Sequence, residues 1–183
     1  MSASLIEELK KVRDFRTRKG QRHPLWLVLL LIIMGTMSGC QGYRGNGDFV
    51  KRHKQSLIEI LEIPIDRVPS YSTIRRIMMR VNFEELTIRF NHWASEYVEL
   101  SQSEWLATDG KSIKSTVVDY SNKYQAFVTV VSIFSSKQGQ IVGLQTMNNK
   151  QTSEIKTVQN LVSILDLKNV VFSFDALHCQ KKL

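Results

Sequence analysis

Two aspartates stand in similar sequence contexts, and together they could do chemistry. Asp109 follows the apolar run of residues 104–108 and precedes Gly110, where the chain is predicted to turn. Asp175 ends a second apolar, β-branched run, residues 170–174. An acidic side chain at the end of a buried strand lowers stability unless a cation or a hydrogen-bond donor compensates it. Two such residues on neighbouring strands therefore predict a divalent-metal site.

The ion that suits this pair is Mg²⁺, with Mn²⁺ as its substitute. Proteins bind Mg²⁺ through one or two carboxylates together with water and phosphate oxygens. Two such ions about 4 Å apart activate an attacking hydroxyl and stabilise the leaving oxygen in phosphodiester chemistry. Asp109 and Asp175 are therefore the candidate catalytic and metal-binding residues, and a third acid would normally complete the site. The alternative is that both are capping or turn residues at strand ends.

The elements around the aspartates predict a β-β-β-α-β order, with a hairpin between the second and third strands. A β-α-β crossover places its second strand parallel in the same sheet. If the fourth strand lies beside the first, Asp109 and Asp175 become neighbours at one edge of the sheet. The predicted strands are residues 104–111, 125–134, 141–147 and 170–175, with a helix over residues 154–165.

Residues 1–100 are predicted to be all-helical, which makes residues 1–100 and 101–183 the two predicted domains. Ser4 begins a first helix, with Glu7 at capping-box spacing. Pro24 stands where the apolar helix Leu25–Met37 can begin. The glycines that follow are predicted to end this helix and loosen the chain. Further helices are predicted over residues 48–63, 74–81 and 82–100.

Composition favours a basic protein with a packed core. The chain has 25 Lys and Arg against 17 Asp and Glu, a net charge of +8, and 43% hydrophobic residues. Two cysteines, without a zinc-type spacing, are typical of a reducing cytosol. Leu25–Met37 as a helix spans about 20 Å, less than the roughly 30 Å of a hydrocarbon core. We therefore expect a cytoplasmic protein with no membrane partner, with membrane association as the alternative.

Basic residues cluster in two segments that could contact phosphates. Residues 10–22 hold seven Lys or Arg and one Asp, and residues 69–81 follow a helix and a proline turn in a helix-turn-helix-like order. Such segments bind nucleic acid or are solvated helix faces, and both interpretations stay open. Lys111, two residues after Asp109, is a further candidate. The candidate DNA contacts are therefore Arg16, Arg18, Lys19, Arg22, Arg75, Arg76, Arg80 and Lys111.

Several motifs match one known family. They are DFR at residues 14–16, RHPL at 22–25, YR at 43–44, PSYSTIRR at 69–76, TDGKS at 108–112, SEI at 153–155 and FDALHCQ at 174–180. With these motifs the chain resembles the DDE transposases of bacterial insertion sequences, specifically the ISAs-type group and the H-repeat-associated proteins. The resemblance implies a helical DNA-binding region followed by a ribonuclease-H-like catalytic domain. It makes Asp109 the first catalytic acid and Asp175 the second.

The chain departs from this family in two ways. Phe15 stands where the family usually has proline. The third acid of the family, a glutamate, lies well beyond the second aspartate on a later helix, whereas Glu154 begins the helix between the two aspartates. Glu154 either approaches the site or only favours the helix dipole. We therefore expect an N-terminal, truncated or frame-shifted copy with an incomplete ribonuclease-H-like domain.

The predicted function is DNA transposition. The chain would bind transposon-end DNA, and in its complete form it would perform two-metal cleavage and strand transfer. By itself it is expected to bind DNA without cutting it, as a homodimer or with an intact transposase. The alternative is a non-catalytic DNA-binding module or a regulator of an intact transposase. His178 and Cys179 have no cluster of partner ligands and are interpreted as polar residues after a strand.

Overall fold

The computed structural model describes residues 4–63, 66–97, 100–118 and 126–175. Within these residues the chain forms seven α-helices and one four-stranded mixed sheet, so the fold is mixed α and β. The chain divides into two compact units between Arg89 and Phe90. We call residues 4–89 the helical unit and residues 90–175 the β unit.

The helical unit is built from short helices around one long apolar helix. Helix α6 begins in this unit and ends in the β unit. The helices are α1 (Leu5–Lys10), α2 (Leu25–Met37), α3 (Gly42–Arg52), α4 (Lys54–Ile60), α5 (Tyr71–Met78) and α6 (Phe83–Ser95).

Helix α2 is the centre of the helical unit. It begins directly after Pro24, and its apolar residues from Leu25 to Leu31 are buried, except for the half-buried Trp26. Leu27, Val28 and Leu31 are among the most deeply buried residues, and Phe49 of α3 and Ile74 of α5 belong to the same core. A helix that is apolar all round needs such complete cover. The predicted buried core helix is confirmed.

The alternative of membrane association requires a helix that is long and apolar enough to cross a membrane. No single helix in the described part of the chain is long and apolar enough to cross a membrane. Residues 18–37 and 42–52 meet the criteria only together, and they are bent by 99°.

The prediction that glycines loosen the chain after α2 was wrong. Helix α3 begins at Gly42 and contains Gly45 and Gly47. A Cβ on Gly47 would lie 2.6 Å from the Cβ of Tyr71, which begins α5. Gly47 therefore serves close packing between α3 and α5, which outweighs its low helix propensity.

Two other helical predictions were wrong in their limits. The helix predicted over residues 48–63 is interrupted at His53, which separates α3 from α4. Helix α5 begins at Tyr71, three residues before the predicted start. Ser70 has the extended backbone of an N-cap, and its hydroxyl contacts those of Ser72 and Thr73. The Ser-rich segment is therefore the first turn of the helix.

The β unit confirms the predicted β-β-β-α-β order and its hairpin. Strand β4 lies at the edge of the sheet, beside β1, in the order β3-β2-β1-β4. Strands β1 and β4 are parallel, whereas β2 is antiparallel to both β1 and β3. The ribonuclease-H-like assignment stays a prediction. The elements are β1 (Glu104–Val118), β2 (Ala126–Ser135), β3 (Gln140–Asn148), α7 (Glu154–Leu165) and β4 (Val170–Ser173).

Helix α7 covers one face of this sheet. Leu106, Val131 and Ile133 of the sheet form a buried core with Val158 and Leu161 of the helix. The approach is close, because a Cβ on Gly143 of β3 would lie 2.6 Å from Leu165 of α7. The opposite face is open, as Trp105 there is 64% exposed.

The predicted strand ends at the aspartates were wrong. Strand β1 continues to Val118, so Asp109 lies in the middle of a strand and the chain does not turn at Gly110. The reason is the long ladder with β2, in which Gly110 pairs with Val131. Strand β4 ends at Ser173, two residues before Asp175. Residues 176–183, with His178 and Cys179, lie outside the described residues.

Candidate metal site and nucleic-acid surface

The parallel ladder between β1 and β4 relates the two aspartates. It pairs Glu104 with Val170 at one end and Ala107 with Ser173 at the other. Continued by two residues, the same register sets Asp109 level with Asp175. Both side chains are exposed. The described ladder ends two residues before each aspartate, so it brings the chain segments that carry Asp109 and Asp175 side by side at the β4 edge of the sheet.

Glu154 lies against β1 beside Asp109. A Cβ on Gly110 would lie 2.5 Å from Oε1 of Glu154 and 2.9 Å from its Oε2. The backbone amide of Lys156 donates to the hydroxyl of Ser153 at 3.4 Å, which caps α7 and sets Glu154 in its first turn. Glu154 therefore both approaches the strand that carries Asp109 and lies where a helix dipole favours an anion.

The residues present suit a hard divalent ion only in part. Carboxylate oxygens are suitable ligands, and two carboxylates with water and phosphate oxygens are enough for Mg²⁺. Thr108, which precedes Asp109, has a buried hydroxyl oxygen with no hydrogen-bond partner among the described residues. Within those same residues, no group of three or more His, Cys, Asp or Glu is close enough to hold a metal ion. The predicted metal site at Asp109 and Asp175 therefore stays a prediction, and two carboxylates could hold such an ion only together with water and phosphate oxygens.

Of the predicted DNA contacts, Arg16 has a structural role. Its Nε and Nη2 donate to the carboxylate of Asp14 at 2.9 and 2.7 Å, and its Nη atoms also donate to the carbonyls of Gly20 and His23. The Arg16 side chain is 9% exposed. Its hydrogen bonds hold the pKa of Asp14 below the usual value. Arg16 organises the loop, and its guanidinium is not presented to solvent for phosphate binding.

The other basic residues of this loop are exposed. Arg18 and Lys19 lie in a single 3₁₀ turn, Arg18–Gly20, and Arg22 follows it. None of the three forms an ion pair with another residue that the structure describes. Their charge is therefore open to solvent, next to a loop that Arg16 keeps in shape.

Helix α5 presents arginines on the side away from its core. Ile74 and Ile77 are fully buried, whereas Arg75, Arg76 and Arg80 are exposed. The Nε of Arg76 donates to the Ser72 carbonyl at 3.2 Å, and the Arg80 guanidinium lies over the Phe15 ring at 5.3 Å. Arg75 thus extends freely, while Arg76 and Arg80 are partly held in place. In the β unit, Lys111 is exposed two residues after Asp109 on the same strand.

Sequence reasoning missed three buried titratable residues, the first of which, Glu8 of α1, forms ion pairs with Lys11 and Arg89. His23 is buried, and burial, with Arg22 and Arg16 nearby, lowers its pKa. Glu104 is buried at the start of β1, where it accepts hydrogen bonds from Ser135 and from the amide and hydroxyl of Ser101. These bonds, that of Ser135 first, lower the pKa of Glu104. Both His23 and Glu104 stabilise local structure; His23 belongs to the RHPL motif, whereas Glu104 lies in no pattern that distinguishes it in the sequence.

The contact between Gly110 and Glu154 was also missed, although the sequence carried a signal for it. Glycine inside a strand weakens the strand and often marks the close approach of another group. The sequence interpretation took Gly110 as a turn instead. The structure keeps it in the strand and uses the absent side chain as room for a carboxylate.

The chain is similar to known proteins over nearly its whole length. Residues 6–94 match the family model described as DDE_Tnp_1-associated. The chain is 28% identical to the "H repeat-associated putative transposase YbfD" of Escherichia coli K12 over 98% of its own length and 69% of that protein. It is 26% identical to the "H repeat-associated putative transposase YhhI" of the same strain, over 98% and 46%.

A more distant relative is similar over most of the chain as well. The "Uncharacterized protein in dhlA 3'region" of Xanthobacter autotrophicus is 22% identical over 91% of this chain and 55% of its own length. The chain thus spans about half of several relatives that it matches. No solved structure matches it.

Proposed function

We propose that the chain is a DNA transposition protein of the transposase family, because residues 6–94 match the DDE_Tnp_1-associated model and its relatives are H-repeat-associated putative transposases. Its helical unit would bind transposon-end DNA. Its β unit would carry two of the acids of a ribonuclease-H-like site for phosphodiester cleavage and strand transfer. The proposal puts the protein in the cytoplasm, at the nucleoid, with a second copy or an intact transposase as its protein partner.

The observation that carries this proposal is the register of β1 and β4. The parallel pairing of β4 with β1 brings together the chain segments that carry two acids 66 positions apart in the sequence, which supports the proposal. A strand order with β4 beside β3 would have separated them by the width of the sheet. Asp109 is in an ordered strand, so its backbone is held by the ladder with β2. Such support fits a residue that must hold its place during chemistry.

The chain's own residues would bind and orient the DNA backbone. Asp109 and Asp175 would hold Mg²⁺ or Mn²⁺, which supplies activation of the attacking hydroxyl and charge stabilisation at phosphorus when bound. Lys111, exposed on the strand of Asp109, would attract a phosphate to the same region. In the helical unit, Arg18, Lys19, Arg22, Arg75, Arg76 and Arg80 are exposed and are the proposed phosphate contacts.

A salt titration tests the DNA-binding part. The chain is mixed with labelled duplexes carrying the terminal sequence of the element or a shuffled sequence, and the dissociation constant is measured between about 50 and 200 mM salt. Replacing Arg75 and Arg76 together by Ala should lower the slope of log K against log salt by about one for each lost phosphate contact. The matched control is Lys10→Ala, because Lys10 is already paired with Glu7. An unchanged slope in the double variant would remove α5 from the DNA surface.

A nicking assay tests the chemical part. End-sequence DNA is incubated with residues 1–183 and Mg²⁺ or Mn²⁺. We expect binding without cleavage, since the resemblance implies a further glutamate after Asp175. Turnover that disappears in Asp109→Ala would show that this chain is catalytic by itself.

A second candidate is a non-catalytic DNA-binding module or a regulator of an intact transposase. The specific observation in its favour is that the family match covers residues 6–94, which are almost entirely the helical unit. The two candidates differ in the role of the aspartates. A regulator would inhibit transposition by a co-expressed intact transposase, and its Asp109→Asn variant would inhibit equally well. A partner that supplies catalytic residues would support transposition, and its Asp109→Asn variant would no longer do so.

A further inference from the structure

We propose that the exposed face of α5 enters the major groove of duplex DNA, where Arg75 contacts the edge of a base and so selects the sequence. The inference rests on the proposed function and deepens it, because it separates the residue that reads sequence from those that bind phosphates. The occupant of this face is double-stranded DNA, as the charge and the side chains of α5 indicate.

Helix α5 has one buried side and one exposed side. Ile74 and Ile77 are fully buried in the core of the helical unit. On the other side, Ser72, Arg75 and Met79 follow one another at i, i+3 and i+7, and all three are exposed. Residues at this spacing lie along one face of a helix. Eight helical residues span about 12 Å, which is close to the width of the major groove.

The charge of this part of the helical unit is complementary to DNA. Helix α5 has two basic residues and no acidic residue, and Arg80 follows directly after its end. Helix α3, which packs on α5, has three basic residues and one acidic residue, Asp48. A duplex offers regularly spaced phosphates to such a surface, and the attraction brings the helix to the groove without selecting a sequence.

Arg75 differs from the two arginines beside it. The Nε of Arg76 donates to the Ser72 carbonyl at 3.2 Å, and the guanidinium of Arg80 lies over the ring of Phe15. The side chain of Arg75 has no hydrogen bond or ion pair with any residue that the structure describes. Its planar guanidinium is therefore free to bind a phosphate on any duplex, and to donate two hydrogen bonds to O6 and N7 of a guanine on the selected sequence.

Two large side chains flank Arg75 on the exposed face. Tyr71 lies one turn before it and Met79 one turn after it, and they are 54% and 59% exposed. Side chains four residues apart are neighbours on a helix surface. Apolar groups in the major groove contact the methyl group of thymine, whereas phosphates give them no partner. An arginine between two such side chains suits the edges of bases better than the DNA backbone.

Helix α3 holds the start of α5 in place and leaves its outer face open. A Cβ on Gly47 would lie 2.6 Å from the Cβ and 3.1 Å from the Cα of Tyr71, so the two helices touch at this point. Arg44 lies one turn before Gly47, is exposed, and forms no ion pair within the described part of the chain. In helix-turn-helix proteins, a helix packed against the recognition helix crosses the DNA backbone. Arg44 is therefore assigned to a phosphate beside the groove.

The test selects DNA with the full chain from a library of random-sequence duplexes. Dissociation constants are then measured for the selected duplex and for a shuffled duplex. Arg75→Lys keeps the charge but loses the two-pronged donor, so it should reduce the preference for the selected duplex roughly fivefold to one hundredfold, the discrimination of one bidentate base contact. Its affinity for the shuffled duplex should change little, and its unfolding temperature should match that of the unchanged chain.

Two variants are the controls. Arg80→Lys, at a neighbouring arginine that is held over Phe15, should keep the full preference for the selected duplex. Arg44→Ala should weaken binding to both duplexes equally and lower the salt slope by about one, as expected for a phosphate contact.

The outcomes separate this inference from the proposed function. A loss of preference in Arg75→Lys, with the preference kept in Arg80→Lys, supports the inference. If Arg75→Lys prefers the selected duplex as strongly as the unchanged chain does, or if both variants lose the preference equally, the inference is overturned while DNA binding by the helical unit stands. If the unchanged chain binds all duplexes equally, the inference is overturned and only phosphate contacts remain. If it binds no duplex even at low salt, the proposed function falls as well.

Discussion

The helical unit and the β unit differ in how completely they bury their apolar residues. Around α2, side chains such as Val28 and Leu31 are fully buried, because a helix apolar on all sides has no face to give to water. The sheet needs cover on one face only, and α7 provides it over Ile133. Trp105, Phe134 and Ile141 are exposed on the other face. Asp109 lies on that open face, so the incomplete cover of the sheet leaves Asp109 accessible to solvent.

The largest expected effect tests this difference directly. Leu31→Ala should lower the free energy of unfolding by about 2–5 kcal/mol, because it leaves a cavity in a core that cannot collapse freely. Trp105→Ala, despite removing a larger side chain, should change it by less than about 0.5 kcal/mol, as expected for an exposed position. Urea unfolding followed by far-ultraviolet circular dichroism measures both.

Two results would break this comparison. A loss of stability in Trp105→Ala as large as that in Leu31→Ala would mean that the open face is covered in solution. A near-neutral Leu31→Ala would mean that the core around α2 can rearrange. Ile133→Ala, on the covered face of the same sheet, is the matched control and should resemble Leu31→Ala.

The features that followed from the sequence are those set by local patterns. The helix Leu25–Met37 was predictable because an apolar run of this length after a proline favours a buried helix. The hairpin of β2 and β3 was predictable because alternating β-branched runs flank a turn. The helix Glu154–Leu165 was predictable from its serine cap and its apolar spacing.

The features that failed depend on groups distant in sequence. Gly47 and Gly110 were both taken as breaks in regular structure, since a glycine alone favours flexibility. The group opposite each glycine leaves no room for a side chain, Tyr71 in one case and Glu154 in the other. The same limit applies to the site: the sequence suggested the aspartate pair, but only strand order and register bring the chain segments that carry Asp109 and Asp175 side by side.

A smaller change in stability is expected when glycines of the helical unit are replaced by alanine. Gly47→Ala should lower stability by about 1–2 kcal/mol, because the added Cβ would lie 2.6 Å from Tyr71 and overpack the contact of α3 with α5. Gly45→Ala in the same helix meets its nearest neighbour, Cys40, at 3.6 Å. It should raise stability by about 0.5–1 kcal/mol, the helix-propensity gain of alanine over glycine.

Thermal unfolding measures the stability of Gly47→Ala, and Gly45→Ala is its control. Opposite signs would show that packing, and not backbone freedom, selects Gly47. Stabilisation by both substitutions would mean that α3 and α5 can separate enough to admit a methyl group, and the close approach would then not be required for the fold.

The smallest effect concerns the buried polar groups, which also differ between the units. The helical unit buries His23, whose lowered pKa favours the neutral form, whereas the β unit buries Glu104, whose lowered pKa favours the charged form. For Glu104 the folded pKa lies below the unfolded value of about 4.3. Its contribution to stability is therefore present above that pH and is lost as the pH falls through the folded pKa.

Ser135→Ala removes the hydrogen bond that lowers this pKa most. The variant should lose stability at pH 7 and approach the unchanged protein at low pH, because a protonated carboxyl gains less from the lost donor. Unfolding temperatures between about pH 3 and pH 7 measure the difference, over the range where a carboxyl titrates. Ser136→Ala, exposed in the adjoining turn, is the control and should follow the unchanged protein throughout. A pH-independent loss in Ser135→Ala would mean that the serine stabilises the turn, through its bond from the amide of Gln138, and not the charge of Glu104.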